Sequence, residues 1–250
     1  MLLDNVKLNK SVPIPLYFQL KELILSEIKN GNYTYGSLIP TENELSDAFE
    51  ISRTTVRQAI TELVQEGWLY RIKSKGTFVS KPKINQDFIK KLESYNEQMV
   101  RLGMTPSTEV LELSIQKATE TIAKALCISE KDKVIFLNRK RFTDGDPIVT
   151  IKTYLPYDKC FFLMDYDFTK ESLYDILSAK GDEFRIFQIQ RVIEAVEATT
   201  TDVINLNTQS GKPIQHFTST GYTAYGVPLE YSLARYRGDR NSFEITVFPE

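Results

Sequence analysis

In the first third of the chain, apolar positions recur at helical spacing. Leu16, Leu20, Leu23, Ile24 and Ile28 mark one face after Pro15 and before Gly31, a helix with proline at its start and glycine past its end. Thr41 and Glu44 have the spacing of a capping box, in which hydroxyl and carboxylate each satisfy an orphan amide of a starting helix. Ser52 can cap the next helix, whose stripe is Val56, Ile60, Leu63 and Val64 and whose stop is Gly67. Arg53 and Arg57 lie about one helical turn apart, so they project together from the side that does not pack. The run from Trp68 to Val79 reads as a glycine-tipped hairpin. Two short helices joined by a tight turn, arginines near the start of the second, and a hairpin wing describe a winged helix-turn-helix reader of the major groove.

Residues 80–86 begin with Ser80-Lys81-Pro82-Lys83, which offers little that packs, and read as a linker between a domain at 1–79 and another at 87–250. A helix is predicted over 87–102, closed by Gly103. Beyond it the apolar period shortens to two. Strands are predicted over 110–116, 134–142, 148–155, 185–198, 214–224, 228–236 and 243–248, with helices at 120–126 and 172–179. Asp144-Gly145-Asp146-Pro147 signals a hairpin turn, and Tyr225-Gly226 turns between two later strands. No internal repeat stands out. The second domain is α+β and mostly antiparallel.

Charge changes the picture only when it is divided. The 250-residue chain has a net charge of −2, which looks unsuited to a DNA binder. Residues 1–83 hold 11 Lys or Arg against 9 Asp or Glu, and the remaining 20 and 24 lie beyond. A mildly basic head on an acidic body suits a specific reader, because only one face meets phosphates, and excludes a charge-driven, sequence-blind binder. With 42% hydrophobic and 26% charged residues the composition is that of a globular protein. No apolar run approaches bilayer length and the N-terminus is no signal peptide, so the expectation is a cytoplasmic protein with no membrane partner. Cys127 and Cys160 read as reduced thiols. Nothing calls for a cofactor or metal.

The candidate chemistry of the second domain lies on the strand at 134–142. There Ile135, Leu137, Arg139 and Arg141 share a face, so two arginines continue an apolar row. An inward charge needs a partner. That partner is either an internal carboxylate, the ordinary outcome, or an anionic ligand such as a phosphate, which fits the guanidinium fork.

The motifs of the head, Pro40-Thr41-Glu42-Asn43-Glu44-Leu45, Ser52-Arg53-Thr54-Thr55-Val56-Arg57, Leu63-Val64-Gln65-Glu66-Gly67 and Ser74-Lys75-Gly76-Thr77-Phe78-Val79, closely resemble those of the GntR family of bacterial repressors. Thr41 stands for the usual serine and Ser74 for the first wing glycine. The second domain resembles the effector-sensing UTRA domain of the HutC subfamily, a chorismate-lyase-like fold. The matching residues are Leu92-Glu93-Ser94-Tyr95, Arg139-Lys140-Arg141, Asp144-Gly145-Asp146-Pro147, Tyr154-Leu155-Pro156, Ser172-Leu173-Tyr174, the run from Gly226 to Ser232, and Tyr236 to Arg240.

The resemblance implies a homodimer on a palindromic operator. Arg53 and Arg57 would meet base edges, Asn43, Ser52, Thr54 and Thr55 bases or phosphates, and Lys75 and Gly76 the minor groove. It also implies an effector site. Ser94, Arg139, Arg141, Ser172 and Tyr174 would surround a phosphate, with Glu230 and Tyr236 at a sugar end and Tyr95 beside Ser94. A phosphorylated sugar or amino sugar is the implied effector. Where several sugar-phosphate sensors carry a glutamate after the turn, this chain has Ile151. A non-sugar carboxylate or imidazole ligand, and a body that only dimerises, are the competing readings. His216 is the only histidine and no nucleophile–base pattern accompanies it, so an enzyme is not expected.

Overall fold

The helices of the N-terminal region begin at the residues that close their first turns. In the computed structural model, which describes residues 8–81, 83–86 and 93–246, α1 (Leu16–Lys29) starts at Pro15 and α2 (Glu42–Phe49) at the Thr41–Glu44 capping box. α3 (Arg53–Gln65) starts at Ser52, whose hydroxyl accepts the Thr55 amide. Leu20, Ile24, Leu45, Val56, Ile60 and Leu63 form one core among the three helices. β1 (Leu69–Ile72) and β2 (Gly76–Val79) pair antiparallel from Leu69–Val79 to Ile72–Gly76. Ser74, in the tip, has φ 62°, a conformation that favours glycine.

The chain divides between Lys83 and Ile84. Part of the expected linker is therefore ordered structure of the second unit: β3 (Ile84–Gln86) pairs parallel with β10 (Asn241–Phe243). Gln86 is buried there and donates to Asn241 Oδ1 at 2.8 Å. Its partner lies far along the chain, so no local pattern announces this strand. The helix predicted over 87–102 is, among the described residues, α4 (Tyr95–Arg101), with Ser94 as its cap rather than within it. Residues 87–92 lie outside the described residues. The strand predicted over 243–248 is the earlier and shorter β10, ending where β3 ends, and 247–248 lie outside the described residues.

The second unit is built on a six-stranded antiparallel sheet, ordered β4-β5-β6-β9-β8-β7. Its strands are β4 (Pro106–Lys117), β5 (Lys133–Thr143), β6 (Asp146–Pro156), β7 (Ile186–Glu197), β8 (Pro213–Thr223) and β9 (Pro228–Arg237). Asp144 and Gly145, both at positive φ, form the two-residue turn between β5 and β6. The order is palindromic because the unit strand–helix–strand–strand occurs twice. α5 (Glu120–Leu126) follows Ala118-Thr119 and ends at left-handed Cys127, while α8 (Thr200–Leu206) follows Ala198-Thr199 and ends at left-handed Asn207. The sequence reading finds no repeat and no α8, because the two copies share only capping and packing residues.

α5 and α8 pack on one face, around Val134, Tyr231 and Ile214. The opposite face carries two apolar clusters. One gathers Ile135, Leu137 and Leu155 under α6 (Tyr157–Cys160), the 3-10 turn Phe161–Asp165 and α7 (Leu173–Lys180). The other gathers Val149, Ala234, Tyr236 and Phe217 with Met99 of α4. No helix among the described residues is long and apolar enough to cross a membrane.

Candidate functional site

On the head, α3 buries Val56, Ala59, Ile60 and Leu63 and turns Arg53, Thr54 and Arg57 outward. Asn43, Ser52 and Lys75 are exposed as well, while Thr55 and Gly76 are half-covered. Ser52 and Thr55 hydroxyls lie 2.8 Å apart, so the two share the helix start instead of standing free. Arg57 Nε donates to Glu42 at 3.0 Å, and Arg71 of β1 donates to the same carboxylate at 3.2 Å. Glu42 thus ties α2, α3 and the wing together. Sequence spacing does not reveal that link, because its three residues come from separate elements.

The second unit has a cavity of about 110 Å³ between its two apolar clusters on the α4/α7 face. All eight residues expected at an effector site line it: Ser94 and Tyr95 from the start of α4, Arg139 and Arg141 from β5, Ser172 and Tyr174 from the start of α7, and Glu230 and Tyr236 from β9. Strand register explains the floor. Arg139 is opposite Ile151, Ile151 opposite Ala234, and Ala234 opposite Phe217. One row along, Thr153, Ser232, Ser219 and Arg191 face one another in turn across β6, β9, β8 and β7. Gly221, opposite Glu230, leaves room for that carboxylate: a Cβ there would sit 3.3 Å from Glu230 Oε2.

Arg191 and Gln98 also line the cavity, and the sequence reading misses both. A signal existed for each. Arg191 interrupts the apolar row Ile189–Ile193 as Arg139 interrupts its own, and Gln98 lies one turn after Ser94.

The electrostatics are those of a site with too many donors. Arg139 is 4% exposed, yet its nearest hydrogen bond is a long one, 3.4 Å to Thr153 Oγ1, and its Nε and Nη1 have no partner among the described residues. Arg141 reaches Thr108 Oγ1 at 3.1 Å and Asn96 Oδ1 at 3.4 Å and stacks over Tyr95, with its Nε also unpartnered among the described residues. The Gln98 Nε2 is buried and unpartnered in the same way. The one carboxylate on the floor, Glu230, accepts the Tyr174 hydroxyl at 2.8 Å.

Burial, together with the neighbouring Arg141, pulls the Arg139 pKa down to about 9. Burial likewise lowers Arg141. Burial pushes Glu230 above the usual carboxylate range, against the pull of the Tyr174 hydrogen bond and of Arg139 and Arg191. Arginine keeps its charge even when buried, and among the described residues no carboxylate is hydrogen-bonded to Arg139 or Arg141.

Residues 16–79 match the gntR family of bacterial regulatory proteins, and residues 101–242 match the UTRA domain. The chain is 34% identical over 238 residues to the HTH-type transcriptional repressor NagR of Bacillus subtilis, covering 95% of this chain and 97% of that protein. It is 29% identical to the mannosyl-D-glycerate transport/metabolism system repressor MngR of Escherichia coli, covering 92% and 95%. The crystal structure of PhnF from Mycobacterium smegmatis has the same fold, with a TM-score of 0.65 at 24% identity over 94% of this chain and 99% of that one. The relatives are regulators of transcription rather than enzymes, and regulators of this kind bind operator DNA and small-molecule effectors. With a capped recognition helix and wing in its first unit and an arginine-lined cavity on the UTRA sheet of its second, the chain belongs to the HutC-type branch of the GntR family and is a DNA-binding transcriptional regulator.

Proposed function

We propose that this regulator is a homodimeric repressor released from a palindromic operator by a phosphorylated sugar or amino sugar. One observation carries the effector class: Arg139 and Arg141 line a cavity and are buried, and among the described residues neither has a carboxylate bonded to it and each keeps a donor without a partner. An internal salt bridge would have closed those valences. A phosphate offers several acceptor oxygens and the missing negative charge, and the hydroxyls of Ser94, Ser172 and Tyr174 stand around the same space. Glu230, Ser232 and Tyr236 face it from β9, where sugar hydroxyls would lie.

On the operator, Arg53 and Arg57 meet base edges, most simply guanine, with Asn43, Ser52, Thr54 and Thr55 nearby and the Lys75-Gly76 tip in the minor groove. The Glu42–Arg57 pair does not oppose this, since an exposed ion pair is worth only about 0–1 kcal/mol. Two-fold pairing doubles the few base pairs that one recognition helix can read.

A chain of contacts from the cavity wall to β3 supports coupling to the head. The rings of Phe217 and Tyr236, both on the cavity wall, lie 4.8 and 5.6 Å from Phe243 of β10. β10 pairs with β3, the first strand after the head. A ligand that shifts Tyr236 therefore bears on the segment leading to the DNA reader, and a coupling of about 1–3 kcal/mol changes operator affinity roughly 5- to 150-fold.

The test is a thermal-shift and operator-release screen of phosphorylated against unphosphorylated sugars and organic acids, run on the natural protein and on Arg139→Ala. The variant is expected to fold and hold operator but not to release it. A destabilised variant that still responds fully to ligand refutes the assignment. Sedimentation of a monomer both free and on operator refutes the dimer.

A further inference from the structure

The proposed phosphate leaves open what the rest of the effector carries, and the cavity's charges bear on that. Three guanidinium groups line it, those of Arg139, Arg141 and Arg191. Two carboxylates line it. Glu93 is held by Arg101 at 2.8 Å, outside the cavity wall, which leaves Glu230 as the acid among the three arginines. The surplus is two positive charges. A phosphate monoester carries about −1.5 to −2 at neutral pH, so it takes up that surplus by itself.

Glu230 has little left for a ligand cation. It accepts the Tyr174 hydroxyl at 2.8 Å, bonds Ser232, and feels Arg139 from the β5 side and Arg191 from the β7 side. The strip next to Arg139 is apolar: Ile151, Ala234 and Phe217 are consecutive partners across β6, β9 and β8. An ammonium group lying on this strip would be desolvated and close to guanidinium groups, with no acid to meet it. Hydroxyls, in contrast, find Ser219 and Ser232 in the adjoining row, and an alkyl or acyl group finds the apolar strip.

Resting on the phosphosugar reading, we infer that the effector's non-phosphate end is uncharged: a sugar phosphate bearing only hydroxyl or N-acyl groups, selected against the free amine by Ile151 and Arg191. These two residues act as specificity determinants. Ile151 withholds the acid that an ammonium would need, and Arg191, a cation lining the same cavity, competes with an ammonium for Glu230.

The experiment is calorimetric titration of the full-length protein with glucose 6-phosphate, N-acetylglucosamine 6-phosphate, glucosamine 6-phosphate and 6-phosphogluconate. At least one of the two neutral-ended esters is expected to bind ten-fold or more tighter than both the amine and the acid. Ile151→Glu should raise affinity for glucosamine 6-phosphate ten-fold or more, while the neutral Ile151→Gln does not. Arg191→Gln should narrow the gap between amine and N-acyl forms and serves if Ile151→Glu does not fold. Esters that bind in an Arg139-dependent way, with the amine or acid equal to or tighter than the neutral forms, overturn this inference alone. No phosphate-dependent binding by any of the four overturns it together with the phosphosugar reading.

Discussion

Arginine plays opposite parts in the two halves of this molecule. In the head, Arg57 is 60% exposed in its side chain and yet paired with a carboxylate, Glu42 at 3.0 Å. In the body, Arg139 is almost wholly buried and, among the described residues, has no carboxylate bonded to it. Desolvation alone would dictate the reverse, since water can stabilise the first charge and cannot reach the second. The difference separates two kinds of readiness. On the proposed function, an exposed pair is cheap to exchange for a base or a phosphate, whereas a buried cation without a bonded acid favours an anionic ligand. It also separates two kinds of construction. The head's candidate residues sit on α2, α3 and the wing within one stretch of sequence, while the cavity draws on β5 to β9, α4 and α7.

The largest expected effect tests whether the body's ordinary charges are paired where Arg139 is not. Asp202, buried at the start of α8, accepts two hydrogen bonds from Arg235, both at 2.8 Å, and caps the helix with Thr199. Asp202→Ala should destabilise the body by about 3 kcal/mol, the low end for a broken buried pair because Arg235 is partly exposed, and leave the head's unfolding transition in place. Burial alone would raise the Asp202 pKa, but the bonds from Arg235 and Thr199 outweigh it and hold the carboxyl below its usual range. The unfolded chain therefore binds the proton more readily. This contribution is full above about pH 4 and is lost as the pH falls through the lower folded value. Urea melts at successive pH values, on the natural protein and on Asp202→Asn, check both the sign and the window. Equal acid sensitivity in the two proteins would contradict it.

Next in size, Arg53→Ala should weaken each operator half-site by about 1–3 kcal/mol and relax sequence preference. Its affinity for random DNA should fall less. Identical losses on both DNAs would reduce Arg53 to a phosphate contact.

Phe243→Ala sharpens the comparison by removing the aromatic contacts that join the cavity wall to β10. Operator and effector should each bind nearly as before, while the change in one caused by the other falls by about 0.5–2 kcal/mol. Full release by effector in this variant would remove the aromatic route from cavity to β3.

The smallest effect lies in the wing. Ser74 holds φ 62°, and Ser74→Gly should stabilise the head by about 0.5 kcal/mol, the relief of left-handed strain exceeding the added chain entropy. A loss of stability would mean that the serine hydroxyl contributes more than the strain costs.

The sequence served the two halves unequally for the same physical reason. Thr41, Glu44, Ser52 and Gly67 act on backbone groups within a few residues, so their spacing alone placed the helices that display Arg53 and Arg57. The strands of the body were legible from alternation, and that alternation turned Arg139 and Arg141 inward before any fold was known. What remained hidden depends on residues far apart in the chain. β3 needs β10, Arg191 joins the cavity only through the register of β7 on β8, and α8 repeats α5 through caps and packing positions with little shared identity.

Local propensity and period thus determined the elements, the head's presentation of its arginines and the inward face of β5. Tertiary structure alone decided that no carboxylate of the described residues closes on Arg139, because whether a buried charge is paired depends on which distant strands fold beside it. Here those neighbours supply Thr153 and Ile151 on one side and an occupied Glu230 beyond.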